Sequence, residues 1–178
     1  MRAVLQRMRH FWLDARDAER TLGPGTLDRI EARIRESEQR HRGEICVCVE
    51  ASLPTSYLWR HLRQRIPMEQ VVHERALMLF SKLRVWDTEL NNGVLIYLQL
   101  AEQRIEIVDD RGLARYVPDA EWEKTLAGMS ARFGEGRYED GLTRAVDAVT
   151  AALERHFPAD TGEGRPRENQ LPDRPVIR

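Results

Sequence analysis

The spacing of apolar and polar positions predicts a chain of helices interrupted by three short strands. Several long stretches repeat their apolar side chains every three or four residues, as an amphipathic helix does. One such stretch begins after the break Gly23-Pro24-Gly25, and another opens at Val117-Pro118-Asp119. The predicted helices cover residues 2–20, 26–41, a short segment that begins at Thr55, 67–86, 119–133 and 138–157.

The predicted strands are too short for helices and rich in β-branched residues. Helices separate Glu44–Glu50 from the strand at 93–100, so these two strands are predicted to pair in parallel through a crossover. Strand 93–100 is apolar on both faces and therefore central, whereas strand 104–109 alternates and suits the sheet edge. A turn at 101–103 joins these last two strands into an antiparallel hairpin. The predicted fold class is α/β, a small mixed β-sheet with helices on both faces.

Length and composition describe a soluble globular chain with one ordered domain. Its 178 residues, of which 42% are apolar and 32% charged, are enough to bury a substantial core. The predicted organisation is an N-terminal amphipathic helix over 1–22, an α/β domain over 23–157 and a tail over 158–178. Because the tail holds four of the eight prolines and many charges, it is predicted to be disordered.

Charge and cysteine content narrow the possible function classes. A net charge of -1 gives no overall attraction for nucleic acid, so no nucleic-acid partner is predicted. No apolar run approaches the roughly 20 residues that cross a bilayer, and the N-terminus is too charged for a signal peptide. Cys46 and Cys48 share one strand face and lack companion ligands, so they are predicted to be core residues. A cytoplasmic location is the default expectation.

The predicted helix 2–20 leaves two interpretations open. Phe11 and Trp12 belong to its apolar face, while Arg2, Arg9 and Arg16 occupy the other side. A basic amphipathic helix either packs on its own domain or makes a peripheral contact with an anionic membrane or a protein partner. The sequence does not identify such a partner.

Candidate chemistry converges at the open end of the predicted hairpin. A turn centred near residue 102 pairs positions whose numbers sum to roughly 204, which places Gly93 opposite Asp110 or Arg111. The polar residues that precede Gly93 reach the same end from the helix before it. Carboxylate and amide oxygens suit Ca²⁺ or Mg²⁺, and Arg111 can add a phosphate contact. The predicted cation ligands are Asp87, Glu89, Asn91, Asn92, Asp109 and Asp110.

A purely structural interpretation of these residues stays open as well. Asn-Asn-Gly is an ordinary turn entry and Asp-Asp-Arg-Gly an ordinary strand exit, and the spacing of a dedicated calcium loop is missing. The chain also lacks the sequence patterns G-x-G-x-x-G, H-E-x-x-H and G-x-S-x-G and a Walker phosphate loop. No catalytic residue and no organic cofactor is therefore assigned.

Four motifs follow one another in the order and spacing of a known domain. They are Asn92–Tyr97, Arg104–Val108, Arg111–Leu113 with Pro118-Asp119, and Phe133–Leu142 with its glycine–aromatic step. Together they resemble the TPM domain family, from about Gly43 to Phe157. The resemblance implies an α/β domain with a mixed sheet, divalent-cation binding in some members, and a weak acid phosphatase activity proposed for the plant branch.

The chain departs from that family at one carboxylate. Where the family usually reads Gly-x-Gly-Leu-Glu, this sequence has Asp110-Arg111-Gly112-Leu113-Ala114, so Asp110 replaces the first glycine and Ala114 replaces the glutamate. Three hypotheses follow. The first is a non-enzymatic accessory or binding module of TPM type that holds a divalent cation at the acidic cluster. The second is a metal-assisted phosphatase with Asp87, Asp109 and Asp110 as ligands, and the third is a membrane-peripheral adaptor that uses helix 2–20.

Overall fold

A computed structural model describes residues 15–134, 136–159 and 169–178 of the chain. Within them, one four-stranded mixed sheet lies between two layers of helices, which confirms the predicted fold class. The helices are α1 (Ala15–Leu22), α2 (Thr26–Glu38), α3 (Thr55–Gln64), α4 (Met68–Lys82), α5 (Arg111–Ala114), α6 (Asp119–Gly134) and α7 (Tyr138–His156). The strands are β1 (Glu44–Glu50), β2 (Gly93–Gln99), β3 (Arg104–Asp109) and β4 (Val176–Ile177).

The strand order is β3-β2-β1-β4, and the predicted hairpin forms its first half. β1 and β2 are parallel, with α3 and α4 as the crossover between them. β2 and β3 are antiparallel, from the pair Val94–Asp109 to the pair Gln99–Arg104. The numbers of these paired residues sum to 203, close to the predicted register. β2 is central and β3 lies at the edge, as their hydrophobic patterns predict.

The two faces of the sheet carry separate apolar cores. Ile45, Val47 and Val49 of β1 face the layer formed by α1, α2, α6 and α7. Cys46 and Cys48 point to the opposite face, against α3 and α4, where they are buried. Burial raises the pKa of both thiols to about 12, so they remain protonated. Their prediction as core residues is confirmed.

The prediction of a disordered tail is wrong for residues 169–178. Val176 and Ile177 pair in parallel with β1 as β4, and the Leu171 side chain is buried against the α4 side of the sheet. Arg174 Nη1 contacts carboxylates of α2, Asp28 at 2.9 Å and Glu31 at 2.8 Å. The free edge of β1 supplies unpaired backbone groups, and a two-residue strand is enough to bind them. Residues 160–168 lie outside the described residues.

The helix predicted at 67–86 is shorter than expected. α4 ends at Lys82, and Arg84 adopts the left-handed conformation with φ of 57°. The turn places Val85 in the core and leaves Trp86 47% exposed. The chain leaves the helix there because β2 must begin at Gly93, next to β1.

The N-terminal helix predicted over 2–20 is described only from Ala15, where α1 begins. Residues 1–14 lie outside the described residues, so its basic half stays a prediction. Within the described part of the chain, the helices lack the combination of length and hydrophobicity that crossing a membrane requires. The short helix α5, directly after β3, does not follow from the sequence pattern.

The docked tail predicts that Leu171→Ala destabilises the domain. Leu171 is 6% exposed, so truncation removes buried apolar contacts and leaves a cavity, at a cost of about 2–3 kcal/mol in the free energy of unfolding. Leu77→Ala is the matched control, because Leu77 is 44% exposed and its truncation should change the free energy by less than about 0.5 kcal/mol. Urea denaturation of both variants measures the difference. Equal effects would contradict the docking of the tail.

Candidate functional site

The open end of the β2–β3 hairpin brings the predicted acidic segment against the loop that precedes β2. Asp110 follows β3 directly, and its backbone N–H donates to Gly93 O at 2.9 Å. Its side chain then turns back to cap α5, where Asp110 Oδ1 accepts from Arg111 N at 2.7 Å. The predicted opposition of Gly93 and Asp110 is therefore confirmed.

Asn91 holds the loop against α5. Its carbonyl oxygen accepts from Gly112 N at 2.8 Å, and its Oδ1 accepts from Arg111 at 3.1 Å (Nε) and 2.8 Å (Nη2). A Cβ atom at Gly112 would lie 2.3 Å from the Asn91 carbonyl oxygen, so only glycine permits this approach. Asn91 itself has a φ of 51°, a conformation that asparagine tolerates better than most residues. Loop and helix are thus locked together around Arg111.

Two carboxylate oxygens at this end are buried without a hydrogen-bond partner. They are Asp109 Oδ2 and Asp110 Oδ2. The indole Nε1 of Trp122 is also buried without a hydrogen-bond partner. Asp110 as a whole is only 9% exposed. Buried carboxylate oxygens usually accept hydrogen bonds, because desolvation without compensation is costly. Each of these two oxygens is therefore free to accept a further hydrogen bond or to bind a ligand.

The environment of Asp109 makes its carboxyl unusually hard to ionise. Burial, together with a smaller repulsion from the nearby carboxylates of Asp119 and Asp110, raises the pKa of Asp109 to about 6. The Asp109 backbone N–H and the Trp122 indole act in the opposite direction, although the indole does not reach normal hydrogen-bond geometry with the carboxylate. Asp119, at the start of α6, is thus an electrostatic neighbour that the predicted ligand set did not include.

The other predicted ligands contact other parts of the chain. Asp87 is half exposed and forms an ion pair with Arg84 at 2.6 Å. Glu89 is exposed, and its backbone N–H donates to Gln170 Oε1 of the tail at 2.8 Å. Asn92 is buried and donates from Nδ2 to Arg42 O at 3.0 Å. Among the residues described, no three His, Cys, Asp or Glu side chains are grouped as metal ligands.

A second polar cluster lies at the carboxyl ends of β1 and β2. Glu50 Oε2 accepts from Arg75 Nε at 3.0 Å and from the Tyr97 hydroxyl at 2.6 Å. Arg75 Nη2 donates to the other carboxylate oxygen of Glu50, and the guanidinium lies over the ring of Tyr57. Glu50, Arg75 and Tyr97 are all at least nine-tenths buried. The sequence signal for this cluster is an arginine inside the apolar stripe of α4.

The chemistry of the second cluster is structural. Burial by itself would lower the pKa of Arg75, but the hydrogen bonds and charge of Glu50 outweigh burial and raise it. Burial and the Glu50 carboxylate raise the pKa of Tyr97. Arg75 therefore stays charged and the Tyr97 phenol stays neutral, and each Glu50 oxygen has a donor. This fully hydrogen-bonded ion pair between Glu50 and Arg75 holds α4 to the sheet.

Comparison with known proteins assigns the chain to a family. The family model described as the TPM domain matches residues 15–152. The chain belongs to the TPM domain family. The BA42 protein of the psychrophilic bacterium Bizionia argentinensis, solved by NMR, is similar at 26% identity and a TM-score of 0.66, over 85% of this chain and 91% of that one. No curated protein matches the chain.

A more distant structure shows the fold alone. The N-terminal domain of a protein from P. gingivalis has 24% identity and a TM-score of 0.57, over 76% of this chain and 78% of that one. The family match ends before the docked tail, so β4 lies outside the matched part of this TPM domain.

The closing motif of this TPM domain is a packing unit. Phe133 is fully buried and stacks on Tyr138 with 5.7 Å between ring centroids. A Cβ atom at Gly141 would lie 2.3 Å from the Phe133 ring, so glycine is required for the two helices to meet. Gln103 Nε2 donates to Phe133 O at 3.2 Å and ties the hairpin turn to the motif. The motif thus positions the hairpin.

The raised pKa of Asp109 predicts a pH-dependent stability in the presence of a chelator. The native carboxyl keeps its proton to about pH 6, whereas an unfolded aspartate releases it near 3.8. Between these values the native state binds more protons, so stability falls as the pH rises from about 4 to about 6. The full pKa difference corresponds to about 3 kcal/mol, and partial solvation reduces the expected effect to roughly 1–2 kcal/mol.

Asp109→Asn should remove the loss of stability that ionisation of the buried Asp109 carboxyl causes. We expect the variant to be more stable than the wild type above pH 6 and equal to it near pH 4, measured by urea denaturation with EDTA at each pH. Asp147→Asn is the control, because Asp147 is an exposed carboxylate on α7. A constant difference between Asp109→Asn and the wild type across this range would contradict the burial of the Asp109 carboxyl.

Proposed function

We propose that this TPM domain is a binding module that holds a divalent cation at the open end of the β2–β3 hairpin. Asp109 and Asp110 are its central ligands. The observation that carries the proposal is the pair of buried, unpartnered carboxylate oxygens, Asp109 Oδ2 and Asp110 Oδ2. A cation would pair both oxygens and offset the repulsion between the two side chains. The predicted residues Asp87, Glu89, Asn91 and Asn92 form the outer rim of the proposed site.

The donor set favours a small, hard cation. Its atoms are carboxylate and amide oxygens, which Mg²⁺ and Ca²⁺ prefer over nitrogen or sulfur. With two central carboxylates, the ion would keep several water ligands, as Mg²⁺ commonly does when one or two carboxylates bind it. Asp110 caps α5 through Oδ1, and that contact leaves its Oδ2 available. We therefore propose Mg²⁺ as the preferred ion and Ca²⁺ as the weaker one.

Binding of the cation should raise the melting temperature of the wild type at neutral pH. A ligand of the native state at a hundredfold excess over its Kd stabilises by about 2.7 kcal/mol. We expect millimolar MgCl₂, compared with EDTA, to raise the melting temperature of the wild type but not that of Asp109→Asn or Asp110→Asn. Asp110→Asn is the cleaner variant, because asparagine retains the helix cap while the charge is lost.

The pH dependence and a control variant sharpen this test. Because a proton competes with the ion for Asp109, the stabilisation by Mg²⁺ should diminish below about pH 6. Asp147→Asn should keep the full response, since Asp147 lies on α7 and pairs with Arg33. An Asp110→Asn variant that retains the complete melting-temperature shift would overturn the proposed site.

A metal-assisted phosphatase is the second candidate, and the raised pKa of Asp109 favours it. A carboxyl that keeps its proton to about pH 6 can act as a general acid toward the leaving oxygen of a phosphate ester. Arg111 lies at the same end, held by Asn91, and would contact the phosphate. The binding module remains the first choice because Ala114 stands where the family resemblance leads us to expect a glutamate.

Hydrolysis of phosphoserine with MgCl₂ separates the two candidates. If the domain is a phosphatase, Asp109→Asn should lower kcat by at least about a hundredfold. Arg111→Lys should raise KM more than it lowers kcat, because a lysine replaces a bidentate phosphate contact with a point charge. Activity that survives Asp109→Asn and Asp110→Asn together would exclude this role. A melting-temperature shift without hydrolysis would leave the binding module.

A further inference from the structure

The outer face of α3 presents two large apolar side chains to solvent. Trp59 is 58% exposed and Leu62 is 55% exposed, and their spacing of three residues places them side by side on the helix. Together with Leu58, Thr55 and Ser56 they line a shallow depression of about 760 Å³. Neighbouring exposed apolar groups of this kind mark interaction sites more often than isolated ones do.

The inner face of α3 is already secured, so the outer face is not needed for folding. Tyr57, Leu58 and Ile66 pack on the apolar core of the α4 side. His61 Nδ1 lies 2.6 Å from Ile66 O and closes the end of the helix. The apolar outer residues are therefore additional to the core rather than part of it.

The same segment is strongly basic in a chain whose net charge is -1. Residues 51–68 contain Arg60, Arg63 and Arg65 and neither Asp nor Glu. Arg60 pairs with Glu74 of α4. The guanidinium of Arg63 lies over the Trp59 ring, 4.8 Å from its centroid. Within the described part of the chain, no ion pair involves Arg63 or Arg65, so both charges remain available to an anionic surface.

We propose that α3 docks on an anionic lipid surface. Trp59 and Leu62 enter the boundary between headgroups and acyl chains, and Arg63 and Arg65 contact the lipid phosphates. A helix that combines tryptophan, leucine and arginine on its exposed side has the composition of an interfacial helix. Nucleic acid would engage the arginines through its phosphates but would leave Leu62 without a partner. The lipid surface accounts for both the charge and the apolar pair.

This surface is distinct from the proposed cation site and from the basic helix predicted at the N-terminus. α3 lies in the crossover between β1 and β2, whereas Asp109 is the last residue of β3 and Asp110 follows it. Substitutions in α3 therefore report on lipid docking without removing the proposed ligands.

Sedimentation of the full chain with vesicles tests the proposal. We expect binding to vesicles of phosphatidylcholine and phosphatidylglycerol in equal parts, little binding to phosphatidylcholine alone, and weakening by salt. An arginine near an anionic bilayer contributes roughly a fivefold gain in partitioning, so Arg63→Gln/Arg65→Gln should lose about 25-fold. The matched control is Arg144→Gln/Arg155→Gln, which removes two exposed arginines from α7 on the other face of the sheet.

A second readout follows Trp59 directly. In a full chain with Trp12→Phe and Trp86→Phe, the remaining tryptophans are Trp59 and the buried Trp122. Binding to anionic vesicles should shift the fluorescence emission of Trp59 to the blue, and brominated lipid should quench this emission. Leu62→Ser, which leaves the Trp59 reporter in place, should weaken this response, and Trp59→Ser/Leu62→Ser should weaken sedimentation at least about tenfold.

The outcomes decide the proposal. Loss of binding in both α3 variants, with full binding in the α7 control, supports it. Binding that is unchanged in the α3 variants would assign the membrane contact to another segment and overturn it. The absence of binding to either vesicle would also overturn it, and an acidic protein would then be the partner that the basic face fits.

Discussion

The burial of β1 and β2 on both faces is the constraint on which the rest of the structure depends. Every residue of the two strands is buried, including the polar residues at their ends. Glu50 therefore requires Arg75 and Tyr97, and Glu44 accepts from the tail at Leu171 N. A buried carboxylate without such donors would be strongly destabilising, so these contacts determine which parts of the chain lie next to the strand ends.

The same constraint is met differently at the two ends of the sheet. At the carboxyl ends of β1 and β2, both oxygens of the Glu50 carboxylate have donors, although Gln99 Nε2 is buried there without a partner. At the open end of the hairpin, Asp109 and Asp110 each keep one buried oxygen without a partner. Functional sites commonly contain polar groups whose hydrogen-bonding capacity the protein itself does not fill. The unpaired oxygens of two carboxylates, rather than the number of acidic residues, make the hairpin end the candidate site.

Family membership and biochemical activity rest on different residues of this TPM domain. The motif from Phe133 to Gly141 joins two helices by ring packing, and Gly112 allows α5 to approach the Asn91 loop. These residues hold the hairpin and its loop in place, so they preserve the shape of the site whatever it binds. The chemistry depends on the carboxylates, and Ala114 removes one that the family resemblance implies. The fold is therefore common to the family, while the activity depends on the carboxylates that this chain retains.

The sequence by itself determined the elements whose signal is local. The alternation of apolar and polar residues and the apolar runs defined β2, β3 and the turn between them. The position of that turn set the register that brings Gly93 opposite Asp110. Only the tertiary structure decided the pairing of β4, the burial of Arg75 and the proximity of Asp119 to Asp109. A two-residue strand has no periodicity, and a buried charge is recognised only by its distant partner. Contacts between residues far apart in sequence follow from packing, which no local pattern records.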